Sequence, residues 1–277
     1  MTNGEIRTIA LRQSAIDLNC APEDFSRGHA VIVHSAPHPD ARRYLELPFF
    51  CDLVSYGDNV VASVAPEAEP AVCAYLERFA PEHCFETPNL HVLADALRPF
   101  GMRPCFMAEY FLPDLSLLRE FPCAYELRLL TPPDFAAYYT PEWSNALCAK
   151  RRQLDVLAVG AFDGDSLIGL AGCSADCEEM WQIGVDVLPA YRRQGIARAL
   201  TSRLALETLA RGKVPFYCAA WSNLASVRNA IRSGFLPAWA ELTAKPEAFV
   251  RELNGEGAQP EAFVRELNGE GPQPEEC

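Results

Sequence analysis

The chemistry of this chain concentrates in one run, residues 185–197, which reads VDVLPAYRRQGIA. An apolar strand ends at Leu188-Pro189, and Arg192-Arg193-Gln194-Gly195-Ile196-Ala197 then opens a helix. The first turn of a helix leaves about four backbone N–H groups unpaired and carries roughly half a positive charge. Gly195 lets a ligand approach that backbone, Ala197 leaves it room, and Arg192 and Arg193 add charge-assisted donors. Such a cradle suits a pyrophosphate. The same residues also describe an ordinary helix start with solvated arginines, and on their own they leave both readings open.

The elements that must position this run follow from pattern. Downstream, residues 196–210 form an amphipathic helix with Ile196, Leu200 and Leu204 on one face and Gly212 as its stop. A strand at 214–220, a helix at 224–232 and a strand at 235–242 come next. Upstream, a strand is expected at 125–130 and a helix with irregularities at 132–151. A hairpin at 156–162 and 166–171 turns at Asp163-Gly164-Asp165, and a strand follows at 180–187. The order is β-α-β-β-β-α-β-α-β. The first 120 residues read as a smaller mixed α/β unit, with strands at 30–34, 52–64 and 103–112 and helices at 69–79 and 91–100. The 52–64 run is broken at Gly57-Asp58-Asn59. Pro122 and a change of pattern near Ala124 suggest domains at 1–120 and 121–245.

Residues 246–259 and 260–273 are near-identical copies, PEAFVRELNGEGAQ and PEAFVRELNGEGPQ. Two copies are too few for a solenoid. They read as a tandem duplication in an acidic tail, 246–277, with a short helix in each copy at 246–253 and 260–267. Eight glutamates and two arginines give this tail −6 of the chain's net charge of −13.

The 277 residues are 49% hydrophobic, enough for a folded core. No uncharged apolar run approaches the ~18–20 residues of a membrane span, and no apolar segment opens the chain. The expectation is a soluble cytoplasmic protein without membrane partners. The acidic balance and the shortness of the basic clusters, Lys150-Arg151-Arg152 and Arg192-Arg193, argue against nucleic acid. Eleven scattered cysteines, an odd number with no C-x-x-C pair, argue for reduced thiols over disulfides or a metal site. The five histidines (His29, His34, His38, His83, His91) all lie in the first half.

Arg192-x-x-Gly195-x-Ala197 resembles the R/Q-x-x-G-x-G/A motif of the GNAT superfamily of N-acetyltransferases. Asn223-Leu224-Ala225-Ser226 and Ser233-Gly234-Phe235 are similar to that family's fourth-helix segment, so the resemblance spans about 125–242. It implies an α/β (α+β) GNAT fold, a central mixed, splayed sheet flanked by helices, preceded here by the smaller α/β domain. It also implies acetyl-CoA as cosubstrate, with its pyrophosphate at Arg192, Arg193, Gln194, Gly195, Ile196 and Ala197. A bulge at Gly184-Val185 would splay the fourth strand, and Val185, Asp186 and Val187 would meet the pantetheine arm. Asp186 has a second reading as the residue that fixes the turn. Asn223 and Ser226 would sit across the splay, and Asn223 also reads as a helix cap.

The family's usual catalytic Glu aligns near Trp181 and its usual Tyr at Ala230, so neither is present here. Glu179 and Tyr217 are the replacements, with Cys218 beside them. No histidine is available to this domain as a base. Residues 221–245 and Phe106-Met107-Ala108-Glu109-Tyr110-Phe111 are further similar to the zwittermicin-A-resistance type of acetyltransferase, whose members have two halves. The first domain would then be a substrate-shaping or degenerate acetyltransferase-like half.

The expected activity is acetyl transfer from acetyl-CoA to a primary amine of a small molecule, an antibiotic or metabolite, by direct attack through a tetrahedral intermediate. A homodimer is the expected assembly. Two other readings stay open: a non-catalytic acyl-CoA sensor, and a peptide or protein N-acetyltransferase with an N-terminal recognition module.

Overall fold

The computed structural model describes residues 1–255, so the second tail copy and its expected helix lie outside the described residues. In chain order the elements are α1 (Asn3–Leu18), β1 (Val31–His34), β2 (Cys51–Ser55), β3 (Val61–Val64), α2 (Glu69–Arg78), α3 (Thr87–Leu97) and β4 (Met102–Pro113). They continue as β5 (Glu126–Leu130), α4 (Pro132–Phe135), β6 (Asp155–Asp163), β7 (Ser166–Ser174), β8 (Met180–Val187), α5 (Ile196–Ala210), β9 (Val214–Ala220), α6 (Leu224–Arg232), β10 (Phe235–Pro246) and α7 (Glu247–Leu253). Two compact units result. Among the described residues, one comprises 1–9 and 111–237, the other 10–110 and 238–255.

In the unit of residues 10–110, β1 pairs parallel with β3, β3 antiparallel with β2, and β2 antiparallel with β10. The strands follow the order β1-β3-β2-β10-β4, and α2 and α3 pack on them through Val72, Tyr75, Leu76, Leu93 and Leu97. A buried charge cluster lies in the same unit. Arg42 pairs with Asp17 and Glu241, and Trp239 stacks on Tyr110 with ring centroids 4.6 Å apart.

The unit containing residues 185–197 has the order β9-β8-β7-β6-β5. Its hairpin turn places Gly164 at φ +61°, the left-handed conformation that a two-residue turn needs. The β5–β8 pairs are antiparallel and β8–β9 is parallel, so the sheet is mixed. Helix α5 covers one face with Ile196, Leu200 and Leu204, as its spacing predicts, against Val159, Ala171, Cys173 and Ile183. The other face is closed by residues 132–151. That segment is not the expected helix. It is one α-turn, α4, followed by 3-10 turns at Ala136–Tyr138 and Pro141–Trp143. Pro141 denies an interior helix its hydrogen bond, and side chains of the sheet take over the backbone beyond it, as described below.

Helix α1 was not expected at all. Ile6, Ala10 and Leu18 are buried, but Gln13, Ser14 and Asp17 are buried beside them and obscure the apolar period. Gln13 Nε2 donates to Asp17 at 3.0 Å, and Ser14 Oγ lies 2.8 Å from the Tyr56 hydroxyl. No helix among the described residues is long and apolar enough to cross a membrane.

Candidate functional site

The sheet opens where β8 and β9 part. They pair only over Met180–Val214, Trp181–Pro215 and Gln182–Phe216, although β8 continues to Val187 and β9 to Ala220. The expected bulge at Gly184-Val185 is absent. The β7–β8 register runs unbroken from Ser174↔Gln182 through Gly172↔Gly184 to Gly169↔Val187. Glycine is needed at 184 for another reason: a Cβ there would stand 1.8 Å from the Asn145 carbonyl oxygen. A Cβ at Gly172, its partner across the ladder, would stand 1.9 Å from the Ala146 oxygen. Two glycines side by side thus let the 145–146 backbone lie directly on β7 and β8.

Asp186 holds that backbone in place. Its carboxylate accepts from Asn145 N at 2.9 Å, Asn145 Nδ2 at 2.7 Å and Ala146 N at 2.9 Å. Burial raises its pKa, and these hydrogen bonds oppose the rise. Both oxygens are engaged, so the side chain fixes the turn and only the Asp186 backbone remains for a ligand. Nearer the start of β8, Gln182 Nε2 donates to Cys218 Sγ at 3.0 Å where the strands separate.

Beyond Val187 the chain makes a 3-10 turn, Pro189–Tyr191, and enters α5 through two left-handed residues, Arg193 at φ +65° and Gly195 at φ +83°. This geometry turns successive N–H groups toward one side, the nest that binds anions. No atom lies within 4 Å of where a Gly195 Cβ would stand, so the approach is open. The side chains of Arg192, Arg193 and Gln194 are exposed, whereas Ile196 is buried and anchors the helix start. Ile196 therefore offers its N–H alone. Arg192 Nε donates to the Val187 carbonyl at 3.0 Å, which shows that this carbonyl faces away from β7. The loop is braced by Tyr125, whose hydroxyl donates to Gln194 Oε1 at 3.1 Å, and by Tyr191, which donates to Asp163 at 3.1 Å. The side chains of Val185 and Val187 pack toward the α5 core, leaving their backbone as the available part.

Across the opening, Asn223 caps α6 by accepting from Ser226 N at 3.1 Å. Ser226 Oγ lies 2.6 Å from the Tyr217 hydroxyl, either being the donor. Tyr217 is buried with Phe111 and Phe235 around its ring, and burial raises its pKa, so the phenol holds its proton. Glu179 does not join this group. It precedes β8 at the paired end, where its carbonyl accepts from Val214 N at 2.8 Å. Val185 lies six residue steps further along the chain, about 20 Å at the usual rise. Gln182 and Asn145 were missed as members of the site, and Tyr217 and Ser226 were named but not as a hydrogen-bonded pair. Gly172 and Gly184, glycines in otherwise apolar strands, were the available signal for the close approach of 145–146.

Residues 108–237 match the family model described as GNAT acetyltransferase. No curated protein matches the chain. Among solved structures it is similar to a GCN5-related N-acetyltransferase-like protein from Streptococcus suis, at 21% identity and TM-score 0.43 over 56% of this chain and 67% of that one. It is also similar to a GCN5-related N-acetyltransferase from Kribbella flavida, at 17% and 0.44 over 55% of this chain and 62% of that one. An acetyltransferase of the GNAT family from Colwellia psychrerythraea matches at 13% and 0.42 over 66% of this chain and 76% of that one. Over residues 108–237 the chain carries a domain of the GNAT acetyltransferase family.

Proposed function

We propose that this domain transfers an acetyl group from acetyl-CoA to a primary amine of a small molecule. The observation that carries the reading is the parting of β8 and β9 after Gln182, directly upstream of the nest at Arg193 and Gly195. In this reading the N–H groups from Arg193 to Ala197 hold the pyrophosphate, with Arg192 and Arg193 neutralising its charge. The free edge at Val185 and Val187 pairs with the pantetheine amides, Arg192 releasing the Val187 carbonyl as it turns to phosphate. Asn223 and Ser226 line the opposite wall. The neutral amine attacks the thioester carbonyl, the C–S bond breaks, and the departing thiolate takes a proton from the Tyr217–Ser226 hydroxyl pair, which regains it from the nitrogen as the amide forms. An acidic chain attracts a cationic acceptor, consistent with an amine substrate.

Thermal unfolding with and without acetyl-CoA tests the first half of this reading. Ligand at 100 times its Kd adds about 2.7 kcal/mol of stability. The shift is expected in the wild type and lost in Gly195→Glu, which fills the open approach with a negative side chain. No shift in the wild type would refute cofactor binding at this loop. A second reading, a non-catalytic acyl-CoA sensor, is favoured by Trp181 and Ala230, which stand where the resemblance expects the catalytic Glu and Tyr. Turnover of any amine acceptor removes it.

A further inference from the structure

Four charged side chains share the interior of the unit of residues 10–110 and 238–255, and none is more than 5% exposed. They are Asp17 of α1, Arg42 between β1 and β2, Asp52 of β2 and Glu241 of β10. The group counts three carboxylates and one guanidinium. Arg42 Nε donates to Asp17 Oδ2, while Arg42 N and Gln13 Nε2 donate to Oδ1 at 2.8 and 3.0 Å. Arg42 Nη2 donates to Glu241 Oε2 at 3.4 Å, and Trp239 Nε1 donates to the same oxygen at 3.3 Å. Arg42 Nη1 is directed to the Tyr44 hydroxyl at 2.8 Å.

Asp52 is left with the fewest partners. Thr243 Oγ1, opposite it on β10, donates to Oδ1 at 2.6 Å, and Oδ2 accepts from no described residue. Ser63, opposite it on β3, donates its hydroxyl to the Leu18 carbonyl at 2.8 Å instead. Glu241 pairs with Val54 and is therefore the diagonal neighbour of Asp52 on the same face, so the nearest charge on β10 is negative. Burial, and after it the Glu241 charge, raises the Asp52 pKa well above the usual carboxylate range, against the pull of Thr243 and Arg42. Burial also raises the neighbouring Cys51 thiol and Tyr56 phenol, which stay neutral. A buried carboxylate with one donor is costly. The neutral acid can reverse the bond to Thr243 Oγ1 and leaves only a carbonyl oxygen unpaired.

We propose that Asp52 keeps its proton in the folded chain at neutral pH and is a pH switch for this unit: releasing the proton to solvent leaves three anions with one cation and weakens the joint of β2 with β3 and β10. The inference does not depend on acetyl transfer, because Asp17, Arg42, Asp52 and Glu241 all lie outside the 108–237 domain. Unfolded Asp52 is ionised above about pH 4, so stability falls as pH rises until the folded carboxyl ionises too. Asp52→Asn keeps a partner for Thr243 and has no proton to lose. In urea unfolding of the full chain at pH 6, 7 and 8, the ratio of wild-type to variant unfolding constants should rise about tenfold per pH unit. Every other titrating group is common to both proteins and cancels in that ratio. Infrared spectra of the ¹³C-aspartate-labelled chain at pH 7 should show a protonated-carboxyl stretch that Asp52→Asn lacks, a signal that packing alone does not produce. In Glu241→Gln the like charge is gone, and the band should titrate away at lower pH than in the wild type. If Asp52→Asn does not fold, that comparison decides alone. A ratio independent of pH, no such band at pH 7, or the same titration in Glu241→Gln would overturn the proposal.

Discussion

Asp155 begins β6 with 3% of its surface exposed, and both of its recorded partners use one oxygen. Cys148 N donates to Oδ2 at 2.9 Å and the Tyr139 hydroxyl at 3.0 Å. Burial pushes its carboxyl up to about 6 from a reference of 3.8, with Asp176 adding to the rise. The folded protein therefore keeps this proton to a higher pH than the unfolded chain does. The stabilisation is complete below about pH 4 and is lost as pH rises through 6, a change of about 3 kcal/mol at roughly 1.4 kcal/mol per pH unit. Asp155→Asn can keep both hydrogen bonds through its single carbonyl oxygen and has no proton to lose. Urea midpoints measured from pH 4.5 to 7.5 should fall in the wild type and stay flatter in the variant, which should be at least as stable at pH 7.5. Parallel pH profiles for the two proteins would count against this account. None of this was legible in the sequence, because an acidic residue before a strand gives no sign of the loop that will cover it. The helix start at Gly195 and the cap at Asn223, by contrast, were legible, because backbone conformation and capping are local properties.

At the scale of elements, the sequence was read correctly where one pattern decided one element. Helix α5 has its apolar stripe, β6 and β7 their Asp-Gly turn, and α6 its Asn cap. It was misread at 132–151, where no internal period governs the backbone. That segment is shaped from outside, by Asp186 and by the glycine pair Gly172 and Gly184. The close contact makes a sharp prediction. In Gly184→Ala the new methyl meets backbone rather than a flexible side chain, so 145–146 must lift and the Asp186 bonds must stretch. A loss of about 2–4 kcal/mol is expected, at the upper end of what overpacking costs. Gly28→Ala, where no atom lies within 4 Å of the added carbon, is the control and should shift stability by under about 0.5 kcal/mol. Equal melting temperatures for the two variants would mean that 145–146 does not rest on these strands.

For the whole molecule the question is which stretch of chain folds as a piece, and the linear division at residue 120 gives a different answer from the structure. The compact unit that contains the proposed cofactor loop includes residues 111–120. Phe111 is fully buried there, 6.4 Å from the Tyr217 ring, and Asp114 N donates to the Gly234 carbonyl at 2.9 Å. Leu118 packs so closely that a Cβ at Gly234 would meet its Cα at 2.6 Å. A fragment of residues 121–245 would lose all three contacts and expose Tyr217 and Phe235. It would also leave Ala240–Thr243 of β10 without its partners Ser55–Asp52, an unpaired apolar strand edge of the kind that aggregates. Loss of Phe111 alone should cost about 3–5 kcal/mol, a large share of a domain's stability. The fragment is therefore expected to be insoluble or to melt without a cooperative transition, unlike the full chain. A soluble 121–245 fragment with a sharp transition would show that β4 and the pairing of β10 with β2 are dispensable to this fold. The family match begins at residue 108, ahead of Phe111.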